Sequence, residues 1–133
     1  MECLFCSIAS GKTFSYKVWE NEDFFAFLDI IPINQGHILL IPKNHIEEIF
    51  DLPDNLFNGI FLAVKKLAGP LKQITSAKRI GVAIEGLGVS HAHIHLVPIH
   101  NAGELNPDRA KKATGIELEE IQKLFSKNFI DSN

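Results

Sequence analysis

The apolar positions of this chain change period along its length, and those changes predict its elements. Lys17 to Glu20 and Phe24 to Leu28 read as two strands around an Asn21-Glu22-Asp23 turn, which makes a hairpin. His37 to Ile41 is a dense apolar run of strand length, stopped by Pro42. From Pro53 to Lys66 the period becomes helical. Leu56, Ile60, Val64 and Leu67 recur on one side, with Phe57 and Phe61 beside them, and Pro53 suits a first helical position. Gly69-Pro70 is expected to end or kink this main helix. Arg79 to Glu85 and His91 to Ile99 read as a fourth and a fifth strand. A short helix from Cys3 to Ala9, closed by Gly11, opens the chain. A polar loop over residues 101–113 precedes an amphipathic helix from Ile116 to Phe125, with Leu118, Ile121, Leu124 and Phe125 on one side. Hairpin strands with helices set apart predict an α+β fold: an antiparallel five-stranded sheet, one main helix and a C-terminal helix.

Composition narrows the classes. With 133 residues, 46% of them hydrophobic, and no repeat or low-complexity tract, residues 1–133 are expected to form a single domain with its own core. The formal net charge of −3 gives no electrostatic footprint for duplex nucleic acid and no basic face for an anionic membrane, so neither is expected as a partner. A small phosphate ligand remains compatible, because a site can be locally positive. Met1 to Cys6 has neither the basic start nor the apolar stretch of an export signal, and runs such as Ile38 to Ile41 are too short to span a bilayer. The expected address is cytoplasmic. The two cysteines, Cys3 and Cys6, are spaced as half of a metal site or as a redox pair.

The histidines carry the chemistry. Of six, four fall between positions 91 and 100. Three alternate, in His91-Ala92-His93-Ile94-His95. On a strand, side chains two residues apart share a face about 6.7 Å apart, so His91, His93 and His95 line up while Ala92, Ile94 and Leu96 face the core. By the same parity His100 points away from the trio. Burying three imidazoles costs several kcal/mol unless each has a partner. Two chemistries answer the pattern. The trio can chelate a metal such as zinc. Alternatively, one imidazole acts as a nucleophile, with its second nitrogen held by an acceptor, while its neighbours bind an anion and move protons. A phosphorus centre suits the second, because neutral imidazole is nucleophilic near pH 7.

The run His91-Ala92-His93-Ile94-His95-Leu96-Val97 resembles the histidine triad (HIT) pattern, three histidines alternating with apolar residues. Phe25 to Ile30, followed by Gly36 to His45, is similar to that family's upstream block, and Cys3 to Ile8 to its N-terminal opening. The resemblance covers residues 3–99 and implies a HIT-like fold and a nucleotide hydrolase or transferase acting at the α-phosphate. It implies that His93 is the nucleophile of a covalent nucleotidyl intermediate, that His95 contacts the phosphate and assists the leaving group, and that His37 lies near the phosphate. Asp29 would accept from the ribose hydroxyls, a role its two oxygens suit in any fold. Phe5, Ile8, Phe27 and Ile30 would surround the base. The substrate class implied is a purine nucleotide or nucleoside phosphoramidate, and the assembly a homodimer across the main helix and an edge strand.

Members with a Cys-x-x-Cys opening hold zinc, which here implies Cys3, Cys6, His45 and His91 as ligands of a closed, structural site. No cofactor is then required for the chemistry itself. The sequence departs from the family before the triad. The stretch from Ala83 to Ser90 is shortened, and Ile84 or Glu85 stands where many members have Asn. Gly86 and Gly88 can still offer backbone N–H groups to an anion, whereas Glu85 beside a phosphate would repel it. Two other functions stay open at this point. One is a nucleotide-binding protein with little turnover. The other is a zinc-dependent hydrolase that uses His91, His93 and His95 together as ligands.

Overall fold

The computed structural model describes residues 3–128, so Met1 and Glu2, read above for an export signal, lie outside it. Five strands form one sheet: β1 (Lys17–Glu20), β2 (Phe24–Leu28), β3 (Ile38–Pro42), β4 (Arg79–Ala83) and β5 (Ile94–Ile99). Their order is β1-β2-β3-β5-β4, and every neighbouring pair is antiparallel. The helices are α1 (Leu4–Ala9), α2 (Asp54–Thr75) and α3 (Gly115–Asn128). The α+β fold read from the sequence is the one observed.

Both faces of the sheet are covered, and strand parity divides the apolar residues between them. Phe24, Ala26, Leu28, Ile38, Leu40, Ile94 and Leu96 point to the side of α2 and α3, where Ile60, Leu67, Leu71 and Phe125 complete the main core. Phe25, Phe27, Leu39 and Ile41 point the other way, onto Phe5 and Ile8 of α1. Every residue of β2 and β3 is therefore buried, which is why these strands read as unbroken apolar runs rather than alternating ones.

Several boundaries differ from expectation. α2 runs through Gly69 and Pro70 to Thr75 rather than ending near Lys66. Pro70 removes one backbone donor, but Leu67 and Leu71, both fully buried, hold the turns on either side of it against the sheet. The helix stops at Ser76, whose left-handed φ of 58° turns the chain away. β4 ends at Ala83 rather than Glu85. β5 begins at Ile94 rather than His91: Ala92 donates its N–H to the Ile46 carbonyl at 2.7 Å instead of to a ladder partner. Among the described residues, no helix is long and apolar enough to cross a membrane.

Candidate active site and metal centre

Although His91 and His93 precede the strand, the predicted alternation survives. Ala92, Ile94 and Leu96 enter the main core. On the opposite face Phe5 packs edge-on against both His91 and His93, with centroids 5.9 and 5.2 Å away. The His93 and His95 rings are 5.1 Å apart. His37, His91 and His93 are buried.

The proton positions in this cluster follow from its partners. A carbonyl oxygen can only accept, and His93 Nδ1 lies 2.7 Å from the His91 carbonyl. Nδ1 therefore carries the proton, and Nε2 keeps a lone pair. A backbone N–H can only donate, and the Ile33 amide lies 3.0 Å from His37 Nδ1. Neutral His37 then bears its proton on Nε2, which sits 2.9 Å from His95 Nδ1. His95 accepts there and is left with Nε2–H as a donor. Burial pushes the His37 imidazole down to about 3, with His95 as a second cause. Burial, then the proximity of His93, brings His95 down to about 4. Both are neutral at pH 7, as the relay requires.

His93 and His95 open onto a cleft of about 730 Å³ whose lining also includes Phe5, Ile8, Phe27, Asp29, Ile30 and Gly88. Phe5 and Phe27 meet edge to face at 5.5 Å. Asp29 accepts from the Ile31 N–H at 2.9 Å and lies 3.7 Å from His37 Nε2. Burial raises its carboxyl above the ordinary aspartate value, against the lowering effect of that N–H and of His93. Some expected residues lie elsewhere. His37 does not line the cleft; its Nε2 sits between two residues that do, 2.9 Å from His95 Nδ1 and 3.7 Å from Asp29 Oδ2. Gly86, in the loop after β4 with φ 80°, is not among the lining residues, although Gly88 is. Glu85 is exposed and outside the lining, so the repulsion foreseen for it does not arise there. Ile30 sits at the rim, 52% exposed.

Sequence reasoning missed one wall. Phe14, Tyr16, Lys112 and Ala113 also line the cleft. The second half of that wall is held by backbone bonds from Lys111 to Pro32 and from Ala113 to Ile30. This is long-range pairing of two irregular segments, and no local periodicity encodes it.

At the other end of the cluster lies a different constellation. Cys3 caps α1 and its sulfur accepts from the Cys6 N–H at 3.4 Å. His91 Nδ1 is 3.3 Å from Cys3 Sγ and 3.5 Å from Cys6 Sγ, and His45 Nδ1 is 3.4 Å from Cys6 Sγ. Bond lengths of zinc to sulfur and nitrogen imply a tetrahedral S···N edge of about 3.6 Å, so this donor set fits a zinc ion. His91 is prepared for it: Nε2–H donates to the Pro42 carbonyl at 2.8 Å, which leaves the lone pair on Nδ1.

His91 thus turns its bare nitrogen to the thiols. Among the described residues the three triad histidines form no common ligand cluster, and the three-histidine metal site entertained from the sequence is not formed. Asp29, His37 and His95 also approach one another closely. The Ile33 amide occupies His37 Nδ1, however, so Nε2 has a proton rather than a lone pair to offer a metal.

The HIT domain family model matches residues 11–102, more than half of the chain. The chain belongs to the HIT family. An uncharacterized HIT-like protein of Mycoplasma genitalium is 34% identical over 131 residues, covering 95% of this chain and 93% of its own length. An adenosine 5′-monophosphoramidase of Candida albicans is 35% identical over 105 residues, 72% of this HIT chain and 69% of that protein. The fold of a zinc-bound histidine triad family protein from Mycobacterium smegmatis superposes with a TM-score of 0.80 at 27% identity, covering 96% and 95% of the two chains. The five-stranded antiparallel sheet with its helices is the HIT fold.

Proposed function

We propose that this HIT protein hydrolyses nucleoside phosphoramidates or related nucleotides at the α-phosphate, through a nucleotidyl intermediate on His93. The observation that carries the reading is the 2.7 Å bond from His93 Nδ1–H to the His91 carbonyl, which commits the Nε2 lone pair of a cleft-lining imidazole to attack. His93 Nε2 forms a bond to phosphorus as the bond to the leaving group breaks. The departing amine or alkoxide takes a proton from solvent, and neutral His95 keeps its own proton and steadies the departing group by a hydrogen bond from Nε2–H. Water then attacks phosphorus, the P–N bond to His93 breaks, and a nucleoside monophosphate leaves. The proton released by water returns to solvent.

Asp29 receives the ribose hydroxyls. Phe5, Ile8, Phe27 and Ile30 hold a purine, and the backbone at Gly88 faces the phosphate, with Gly86 supporting that loop. Cys3, Cys6, His45 and His91 hold a structural zinc that ties α1 to the sheet and takes no part in the bond changes. The similarity to a monophosphoramidase supports the substrate kind. We read the assembly as a homodimer through α2 and the β4 edge, where Leu62 and Val82 are 67% and 40% exposed. A sedimentation result showing monomer at micromolar concentration would refute that part.

The deciding experiment is release of AMP from adenosine 5′-phosphoramidate by the wild type and by His93→Ala. Turnover that disappears in the variant is expected. Equal turnover in both would overturn the nucleophile assignment. A wild type that binds AMP but releases none from any phosphoramidate would favour the binding-protein reading instead.

A further inference from the structure

The relay from Ile33 through His37 to His95 is only as rigid as the turn that carries the Ile33 amide. That turn is Asn34-Gln35-Gly36-His37, closed by the His37 N–H on the Asn34 carbonyl at 3.1 Å. Gly36 takes a φ of 94°, and a Cβ there would stand 2.8 Å from Thr75 Cγ2, so the turn sits hard against the end of α2.

The Asn34 side chain uses both of its amide protons and one of its two oxygen lone pairs. Its Nδ2 donates to the Pro98 carbonyl at 2.7 Å and to Glu104 Oε1 at 3.0 Å, and its Oδ1 accepts from Arg109 Nη2 at 2.8 Å. Pro98 belongs to β5, the strand that bears His95. Asn34 therefore bolts the turn that orients His37 to the strand that presents His95. Glu104 is fixed in turn by the His100 N–H at 2.7 Å and the Asn101 amide at 3.2 Å. Those N–H donors, His100 first, pull its carboxyl down to about 2, so it stays an acceptor throughout the neutral range.

We infer that Asn34 and Glu104 are positioning residues: by clamping the 33–37 turn to β5 they hold the Ile33 amide on His37 Nδ1, and so keep His95 as an Nε2–H donor to the leaving group. Neither side chain lines the cleft. Without the clamp, His37 is free to carry its proton on Nδ1. The hydrogen bond to His95 can then reverse, with His95 Nδ1–H donating to His37 Nε2, and His95 Nε2 becomes an acceptor that can no longer donate a hydrogen bond to the leaving group. The inference rests on the phosphoramidase reading for its kinetic consequence but not for its structural one.

The test has one arm for each. Long-range ¹H–¹⁵N correlation on the full chain reads which nitrogen of His37 and His95 is protonated, with no substrate present. The wild type is expected to show both as Nε2–H tautomers at pH 7.5, and Asn34→Ala to show a mixture. In the kinetic arm, kcat is compared for a poor amine leaving group and a good aryloxide that leaves without a proton. Asn34→Ala is expected to lose about tenfold or more on the amine, with little change in KM or in turnover of the aryloxide ester.

Unchanged tautomers in Asn34→Ala, or equal losses on both leaving groups, would overturn the proposal. Glu104→Ala should show the same signature more weakly, with Glu104→Gln restoring part of it. Should Asn34→Ala fail to fold, that pair carries the test, and Nε2–H tautomers preserved in Glu104→Ala would count against the clamp. Failure of the phosphoramidase reading appears separately, as absent turnover in the wild type with the tautomer result intact.

Discussion

Two poles of one histidine cluster, built from the same residue type on alternate positions, present opposite ring nitrogens. At the α1 pole, His91 gives its Nε2–H to a backbone carbonyl and turns a bare Nδ1 to two sulfurs. At the cleft pole, His93 gives its Nδ1–H to a backbone carbonyl and keeps a bare Nε2. Two residues of separation and a swap in which nitrogen the backbone engages distinguish the proposed metal ligand from the proposed nucleophile. His95 differs again: its Nδ1 is met by another imidazole rather than by a carbonyl, which leaves Nε2 an N–H donor rather than a lone pair. The partner of the second nitrogen, and not the histidine itself, sets the role.

The largest expected effect separates the poles outright. His93→Ala should lower turnover by more than about a thousandfold while the purified protein keeps its full zinc content by atomic absorption. Cys6→Ser should do the reverse, losing the metal and lowering the melting temperature by about 10 °C or more, some 2 kcal/mol or more for a chain of this size. Its turnover should persist within about tenfold, because the chemistry sits at the other pole. Turnover that vanishes with the metal, in Cys6→Ser and in chelated wild type alike, would join the two poles into one catalytic metal site.

Much of this arrangement was legible before the structure, for physical reasons. The alternation of His91, His93 and His95 survives even where the ladder does not, because Ala92 must enter the core whichever carbonyl takes its N–H. The run of β3 was readable because both its faces are apolar. The Cys3–Cys6 spacing was readable because a one-turn helix returns the second thiol beside the first. What the sequence hid depends on contacts between distant segments. The extension of α2 past Pro70 comes from the burial of Leu67 and Leu71 against the sheet, which outweighs one lost backbone bond. The cleft wall at Lys112 and Ala113 comes from pairing with residues 30 and 32. His37 was placed near the phosphate, yet its contribution is one step removed. Only the Ile33 amide shows that.

A second, smaller effect concerns acid. His37 is held near 3 and His95 near 4, both below the ordinary 6.5, and burial is the first cause in each. Between those values and 6.5 the unfolded chain binds more protons than the folded one. The stability this neutral pair provides is therefore intact above about pH 6.5 and is lost as the pH falls toward 4. Melting temperature should drop across that window, and His37→Gln, which removes one of the two titrating groups, should flatten the slope. An equally steep slope in the variant would assign the acid sensitivity to other groups. The metal pole adds a contribution of its own, since protons compete for thiolate and imidazole donors. The comparison is best made in Cys6→Ser backgrounds, which remove the competition between protons and metal; His91, itself lowered by burial, is then common to both proteins and cancels.

The smallest effect lies at the edge of the cleft pole. Asp29 follows β2 directly, and its Oδ1 is already engaged by the Ile31 N–H at 2.9 Å, so Oδ2 is the oxygen available to a diol. Burial raises its carboxyl, so charge there is maintained at some cost. Asp29→Asn keeps one acceptor and the size of the side chain but removes the charge that strengthens a hydroxyl hydrogen bond, a difference of about 1.5 kcal/mol or roughly tenfold. The expected result is a rise in KM of that order for a ribonucleoside phosphoramidate, with little change for its 2′,3′-dideoxy analogue and none in kcat. Equal effects on both substrates would mean that Asp29 acts through His37, 3.7 Å away, rather than on the sugar. It would then belong with the proton relay, and the division between binding and chemistry inside the cleft would have to be redrawn.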